Sequence, residues 1–296
     1  MKEEVLSLTP GELGTRKLHG VLLGAVGPRP IAFASTLDAR GRPNLAPFSF
    51  FNVFGSNPPV LIFSPARRVR DNTAKHTLEN AQLSREVVIN AVSHAMVQQM
   101  SLASSEYPQG VNEFVKAGFT MLPSHLVKPF RVGESPAQFE CKVTQVVPLG
   151  QGGGAGNLIF CEVLKIHLRR DALDDQGLPD PYKMDLVARM GGNWYSRASE
   201  GLFEVPKPLS TPGIGVDAIP EAIRSSRILT GNDLGMLGTI EELPDQVAIA
   251  EFVTGRMEVR KILSSRDTDA IHTKAQAFLE QNDVSSAWKI LLAAYS

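Results

Sequence analysis

The chain has 296 residues, 43% of them hydrophobic and 21% charged, which is room for one large domain or two modest ones with a real core. A formal net charge of -1 gives the molecule no overall attraction to nucleic acid or an anionic membrane, so any anion site must be local. The start MKEEVLSLTP lacks the basic and apolar regions of a signal peptide, and no run reaches the roughly 18 apolar residues of a membrane helix, so the expectation is a cytoplasmic protein.

In chain order, Pro30 to Leu37 alternates as a strand does, Asp38 to Gly41 supplies turn chemistry, and Asn44 to Val53 reads as the second strand of a hairpin. Asn57-Pro58-Pro59 is a further turn and Val60 to Ser64 a third strand, continuing an antiparallel meander. A helix follows, capped by Asn72 or Thr73 with Leu78 and Leu83 facing inward, before EVVINAV returns to strand. SHAMVQQMSLASS and GVNEFVKAG predict two more helices, the second ending at Gly118, where glycine suits the left-handed cap. AQFECKVTQVVPL and NLIFCEVLKIHLRR are long strands joined by Gly150 to Gly156. After Phe203 the composition turns to proline and glycine and then to helical periods, which places a boundary near Pro206 and a helical hairpin over Asp267 to Tyr295. The fold class expected is mainly β with helices (α+β), followed by a helical C-terminal extension over 206–296.

Several motifs exclude chemistry. GQGGGAGN, Gly150 to Asn157, precedes a strand, whereas a phosphate-binding glycine turn must open a helix, so it reads as a flexible hairpin connection. The six histidines show no HExxH and no pair spaced for one metal, and there is no G-x-S-x-G elbow. Of these, His167 lies in a strand and could reach a cleft, although a lone strand histidine is usually just hydrogen-bonded in place. Cys141 and Cys161 form no CxxC pair and read as free, buried thiols.

The local anion signal is ARRVRDNTAKHT, where Arg67, Arg68, Arg70 and Lys75 cluster around a helix start that also offers Thr73 and Thr77. Taken alone, the segment reads more readily as a solvated basic loop with an ordinary helix cap. Joined with Gly27 to Asn52, it fits a planar aromatic cofactor with a phosphate tail. Small residues let a ring approach the backbone, and Ser, Thr and Asn can bond its polar edge.

PRPIAFASTLDARGRPNLAPFSFFN resembles the opening of the flavin reductase-like proteins with an FMN-binding split β-barrel, relatives of flavoredoxin. KHTLEN, VVINAV, SSEYPQGVNEFVKAGFT, ESPAQFEC and RMGGNWYSR resemble its later motifs in order, over roughly residues 8 to 205. The resemblance implies a homodimer with FMN, or FAD, at or near the subunit interface. It implies that Ser35 and Thr36, with Asn44, Ala46, Pro47, Phe48 and Ser49, line the isoalloxazine, and that Lys75 and Thr77 hold the phosphate. Arg189 would contribute from its own chain or its partner. His76 departs from the pattern, standing where relatives often carry aspartate. The activity implied is a flavin oxidoreductase using NAD(P)H as a transient reductant, with no metal and no dedicated acid–base side chain. The alternative is an FMN-binding electron carrier or redox-responsive protein without NAD(P)H turnover.

Overall fold

The computed structural model describes residues 5–205 and 212–295. The chain divides into two compact units between Phe203 and Glu204, and the boundary expected at Pro206 lies outside the described residues.

The first unit begins with a helix that the sequence reading lacks, α1 (Thr15–Ala25), which buries none of its side chains. Strands β1 (Ala32–Leu37) and β2 (Pro43–Phe48) form the expected hairpin. Its turn is held by Asp38, whose side chain accepts from the N–H groups of Arg40 and Arg42, while Gly41 takes φ +74°. The single strand expected over Asn44 to Val53 is two strands, because β3 (Phe51–Ser56) leaves β2 at Ser49–Phe50 and pairs instead with β4 (Pro59–Phe63). The simple meander is corrected with it, since β2 and β3 do not pair.

Helix α2 (His76–Ser84) starts later than expected, with Lys75 at its N-cap. Asn72 instead adopts φ +56° and accepts a bond from Arg67, so it shapes the loop before the helix. Leu78 is buried as expected, whereas Leu83 is 63% exposed, because the helix covers the sheet with only one face. Next come β5 (Glu86–Asn90), α3 (Val97–Ala103) and α4 (Glu113–Ala117); Asn112 caps α4 and Gly118 ends it at φ +72°. Two short strands, β6 (Met121–Leu122) and β7 (Arg131–Val132), precede the long pair β8 (Ala137–Pro148) and β9 (Asn157–Leu168). The unit closes with α5 (Pro181–Met184) and a hairpin of β10 (Val187–Arg189) and β11 (Tyr195–Arg197).

Seven strands form one sheet in the order β2-β1-β5-β8-β9-β4-β3. Consecutive strands β2 and β3 therefore occupy opposite edges, which is possible only if the sheet curls into a barrel that stays split between them. Phe48 and Phe63 meet across the curl with ring centroids 5.4 Å apart, and Ser64 donates its N–H to the Phe50 carbonyl at 2.8 Å. Strand alternation sorts β1 to two cores: Ala32 and Ala34 face the barrel interior with Phe63, Ile89 and Ile159, while Phe33 faces α3 and α4 with Leu45, Met100 and Phe114.

The second unit is helical: α6 (Glu221–Arg224), α7 (Gly231–Leu237), α8 (Gln246–Thr254), α9 (Met257–Ser265), α10 (Thr268–Leu279) and α11 (Val284–Tyr295). The expected hairpin is α10 with α11, and the four helices before it complete a core around the fully buried Trp288, whose indole N–H donates to the Leu237 carbonyl. Thr230 and Asp233 form a capping box on α7, and Asp245 and Asp267 cap α8 and α10.

A polar chain built on the buried His272 crosses this unit. The Ser226 hydroxyl accepts from the N–H groups of Ile228 and Leu229, so its own proton goes to His272 Nδ1 at 2.6 Å. His272 Nε2–H is then left to donate to the Tyr295 hydroxyl at 3.0 Å. Burial lowers the His272 pKa, opposed by the charge of Asp269. A histidine whose folded pKa lies below its unfolded value binds fewer protons when folded, so stability is complete above the ordinary value of about 6.5 and falls as the pH drops through it. In a Trp194→Phe background, where Trp288 fluorescence reports this unit, urea unfolding should show stability declining from pH 7.5 to pH 5, and His272→Gln should flatten that decline. An undiminished slope in the variant would place the titrating group elsewhere.

Candidate functional site

A cavity of about 390 Å³ in the first unit opens where β2 bends into β3. Such a volume lies in the usual range for small-molecule sites. Its floor is apolar, with Phe48, Ile31 and Met100; Ser49, Ser64 and Ser104 bring hydroxyls; Lys75 and Arg189 bring charge. A small polar recess of about 40 Å³ adjoins it through Lys75 and Ser104 and is lined by Asn44, Ala46, Thr77 and Glu113.

Eight of the ten residues expected at the site thus line one or other of these spaces: Asn44, Ala46, Pro47, Phe48, Ser49, Lys75, Thr77 and Arg189. Ser35 and Thr36 do not. Both have zero exposure, because β1 lies between β2 and β5 and is covered on both faces. The Ser35 hydroxyl has no hydrogen-bond partner. The Thr36 hydroxyl accepts from Asn80 Nδ2 at 3.1 Å and from Asn44 Nδ2 at 3.4 Å, so its place is behind the site.

Asn44 also donates to Thr77 Oγ1 at 2.9 Å. The threonine oxygen is occupied as an acceptor, and its proton remains available to an anion. The ammonium of Lys75, half-buried at the mouth of α2, has no hydrogen bond or ion pair among the described residues. Burial, reinforced by the positive charge of Arg68, lowers its pKa, and Glu106 opposes the shift. Arg189 likewise meets no carboxylate among the described residues; its guanidinium lies 4.6 Å over the Tyr195 ring.

Two residues that the sequence reading missed position these groups. Arg29 exchanges backbone hydrogen bonds with Arg189 at 3.0 and 2.8 Å, and its buried guanidinium donates to the carbonyls of Leu23, Val26 and Met190. It ties the end of α1 to the Arg189 hairpin. Burial, together with the charge of Arg189, lowers its pKa. Glu113 accepts the Leu45 N–H at 3.0 Å, and burial raises its pKa. By strand alternation, residues 43, 45 and 47 turn their backbones the same way, away from β1; 43 and 47 are prolines without an N–H, so Glu113 takes the one donor on that edge. The signal for Glu113 was its place directly after the cap Asn112. For Arg29 there was none beyond a cation between two prolines.

Other candidates lie apart. His167 bonds at 2.6 Å to Glu140, a fully buried carboxylate that also accepts the N–H groups of His125 and Leu126. Burial opposes ionisation of Glu140, but these bonds outweigh it and hold its pKa at about 2. Cys141 and Cys161 are buried in the barrel, and burial raises both thiol pKa values. Among the described residues no group of three or more His, Cys, Asp or Glu could hold a metal ion, and no helix is long and apolar enough to cross a membrane.

The donor set suits a phosphorylated aromatic ligand: an apolar floor, hydroxyls at the rim, an unpaired ammonium beside a free hydroxyl proton, and an unpaired guanidinium. An uncharacterised protein from Aquifex aeolicus (strain VF5) is 40% identical over 181 residues, spanning 61% of this chain and 90% of its own length. The crystal structure of nitrilotriacetate monooxygenase component B from Bacillus cereus matches with a TM-score of 0.65 at 25% identity, over 69% of this chain and 100% of that one. A Shewanella frigidimarina protein, described as a flavin reductase with a split barrel domain, shares the fold at a TM-score of 0.57 and 24% identity, over 67% of this chain and 96% of that one. A family model for the flavin reductase like domain matches residues 25–184, more than half of the sequence, and the chain belongs to that family.

Proposed function

We propose that the first unit binds FMN in the 390 Å³ cavity and serves as an oxidoreductase that moves electrons from NAD(P)H to the flavin or to a further acceptor. The observation that carries this reading is a pair of cations, Lys75 and Arg189, on the wall of a cavity with an apolar floor, neither meeting a carboxylate among the described residues. Interior charges elsewhere are hydrogen-bonded, Arg29 to three carbonyls, Glu113 to the Leu45 N–H and Glu140 to backbone donors and His167, and cations without such partners are kept for a ligand.

In this reading Lys75 and the Thr77 hydroxyl hold the phosphate, with Asn44 fixing the threonine. Pro47, Phe48 and Ser49 border the ring, and the carbonyls of residues 43, 45 and 47 face outward as acceptors for ring N–H groups. Arg189, steadied by Tyr195 and Arg29, supplies positive charge to electron-rich ring atoms. Bound flavin supplies the hydride and electron chemistry. The protein's part is orientation and exclusion of water, and no side chain is assigned as acid or base. A homodimer is part of the proposal; the apolar side chains of Val53 and Phe54 on β3, each 64% exposed, suit burial against a second copy.

The primary test is the visible spectrum of the FMN-loaded protein under anaerobic NADH or NADPH, where bleaching of the flavin absorbance is expected; an unchanged spectrum with both reductants would reject nicotinamide turnover. Lys75→Ala should weaken FMN binding by about 1.5–3 kcal/mol, the range for a hydrogen bond to a charged group. Fluorescence titration reads this, and an unaltered affinity would move the phosphate away from α2. Ala46→Leu should fill the recess beside Lys75 and reduce FMN occupancy at least about tenfold. Copurification of a yellow, fully loaded variant with native circular dichroism would place the phosphate elsewhere.

A further inference from the structure

A further cavity of the first unit, about 230 Å³, lies between α3 and the β10–β11 hairpin and shares Tyr195 with the main cavity. Its two walls are tied together at one end. Ser93 and Leu186 form an isolated bridge, His94 donates its N–H to the Asp185 carbonyl at 2.8 Å, and Val187 donates to the Val92 carbonyl at 3.0 Å. His94 stands in the single turn that leads into α3, and its spacing to Gln98 and Ser101 puts these three side chains on one face, across from Ser196 of β11. Val97, Val187 and the Tyr195 ring form the apolar part of the lining.

This lining is rich in hydrogen-bonding groups and poor in free charge. Among the described residues the side chains of His94, Gln98, Ser101 and Ser196 have no hydrogen-bond partner. The guanidinium of Arg197, in contrast, is satisfied, because it donates to both oxygens of Asp185 at 2.7 and 2.9 Å and to Glu200 at 2.8 Å. A phosphate or carboxylate would therefore meet no unpaired permanent cation here, unlike on the wall that carries Lys75 and Arg189. An imidazole N–H, an amide and two hydroxyls can instead donate to neutral carbonyl oxygens, and the valines with Tyr195 suit the faces of a ring. The volume admits one ring system rather than a dinucleotide. Tyr195 relates this cavity to the other: its ring borders both and carries the Arg189 guanidinium at 4.6 Å.

We propose that this cavity binds an uncharged, carbonyl-bearing ring of the quinone type and is the place where electrons leave the protein. The inference rests on the flavin reading of the main cavity and names the class of acceptor that reading leaves open. The balance is NAD(P)H, one solvent proton and the quinone in, NAD(P)+ and the hydroquinone out. A nicotinamide C–H bond breaks as hydride passes to the flavin; two electrons then reach the quinone past Tyr195, and two O–H bonds form on its oxygens. His94 and the facing hydroxyls hold those oxygens and pass them protons that solvent replaces.

The test uses the full FMN-loaded chain, just reduced by anaerobic dithionite and mixed with tetramethyl-1,4-benzoquinone, which has no free ring position for thiol addition. Reoxidation of the flavin should saturate with quinone concentration. Ser101→Phe, which fills the cavity from an exposed position, should abolish that saturation. The double variant His94→Leu/Gln98→Leu should raise the half-saturating concentration about tenfold, through the loss of two hydrogen bonds. FMN affinity and reoxidation by ferricyanide, an anion that this cavity does not suit, should change less than about twofold in both variants. The proposal is overturned if the rate stays linear in quinone, if either variant saturates like the wild type, or if quinone and ferricyanide slow in parallel, which would place the effect on the flavin itself. Should FMN fail to bind, the flavin reading falls, and equilibrium dialysis of the quinone against the flavin-free chain still decides the cavity by the same tenfold criterion.

Discussion

Four buried side chains, Asn80, Thr36, Asn44 and Thr77, join in one run of hydrogen bonds that links β1, β2 and α2. Each is under 9% exposed, and breaking one bond would strand a buried amide or hydroxyl at a cost of about 1–3 kcal/mol. This run decides where α2 begins relative to the outer hairpin strand. It therefore sets the distance between Lys75, one residue before the helix, and the bend at Ser49, where the cavity lies. The sheet supplies a surface; these polar contacts set the helix on it in one register.

The strands were legible because alternation and turn residues are local signals: the Asp38 to Gly41 turn and the long β8–β9 pair stand where the sequence reading placed them. What was not legible was the closure. Nothing within Asn44 to Val53 announces that residues on either side of Ser49 pair with strands at opposite edges of the sheet, since the polar and apolar pattern continues across the bend. The same limit explains Ser35 and Thr36. Their polarity suggested contact with a ligand, but burial depends on what covers β1, and Thr36 uses its hydroxyl to hold Asn44 rather than to meet solvent. α1 was missed although Leu18, Val21, Leu22 and Ala25 stand at helical spacing, for Gly20 and Gly24 interrupt the run and the helix buries no side chain.

Arg29 illustrates how a site acquires parts that no motif displays. Its guanidinium satisfies carbonyls at the end of α1 and in the closing hairpin, so one side chain does for two distant segments what a helix cap does for one. The consequence reaches the cavity, because the backbone of Arg29 is paired with that of Arg189 and because α1 places His19 and Leu23 on the cavity wall. Glu113 acts in parallel from α4, closing the outward edge of β2 where prolines already remove two donors. The edge strand is thereby protected from pairing with another chain while its neighbouring residues stay open to a ligand.

The pattern of charge separates scaffold from site. Arg68, Arg169 and Arg197 each meet a carboxylate, and the buried Glu140 is met by backbone donors and His167. Lys75 and Arg189 are the exceptions on the cavity wall. Lys75 has lost part of its hydration without gaining a counter-ion, and both its burial and the nearby Arg68 disfavour the ammonium. That arrangement is unfavourable for the empty fold and favourable for a bound one: a phosphate at about 4 Å would interact with such a cation by several kcal/mol at the effective dielectric of a protein surface. It would also reverse the depression of the lysine pKa, since an added negative charge stabilises the ammonium. A cation placed where the fold gains little from it, and an anionic ligand would gain much, is what the proposed phosphate contact requires of Lys75.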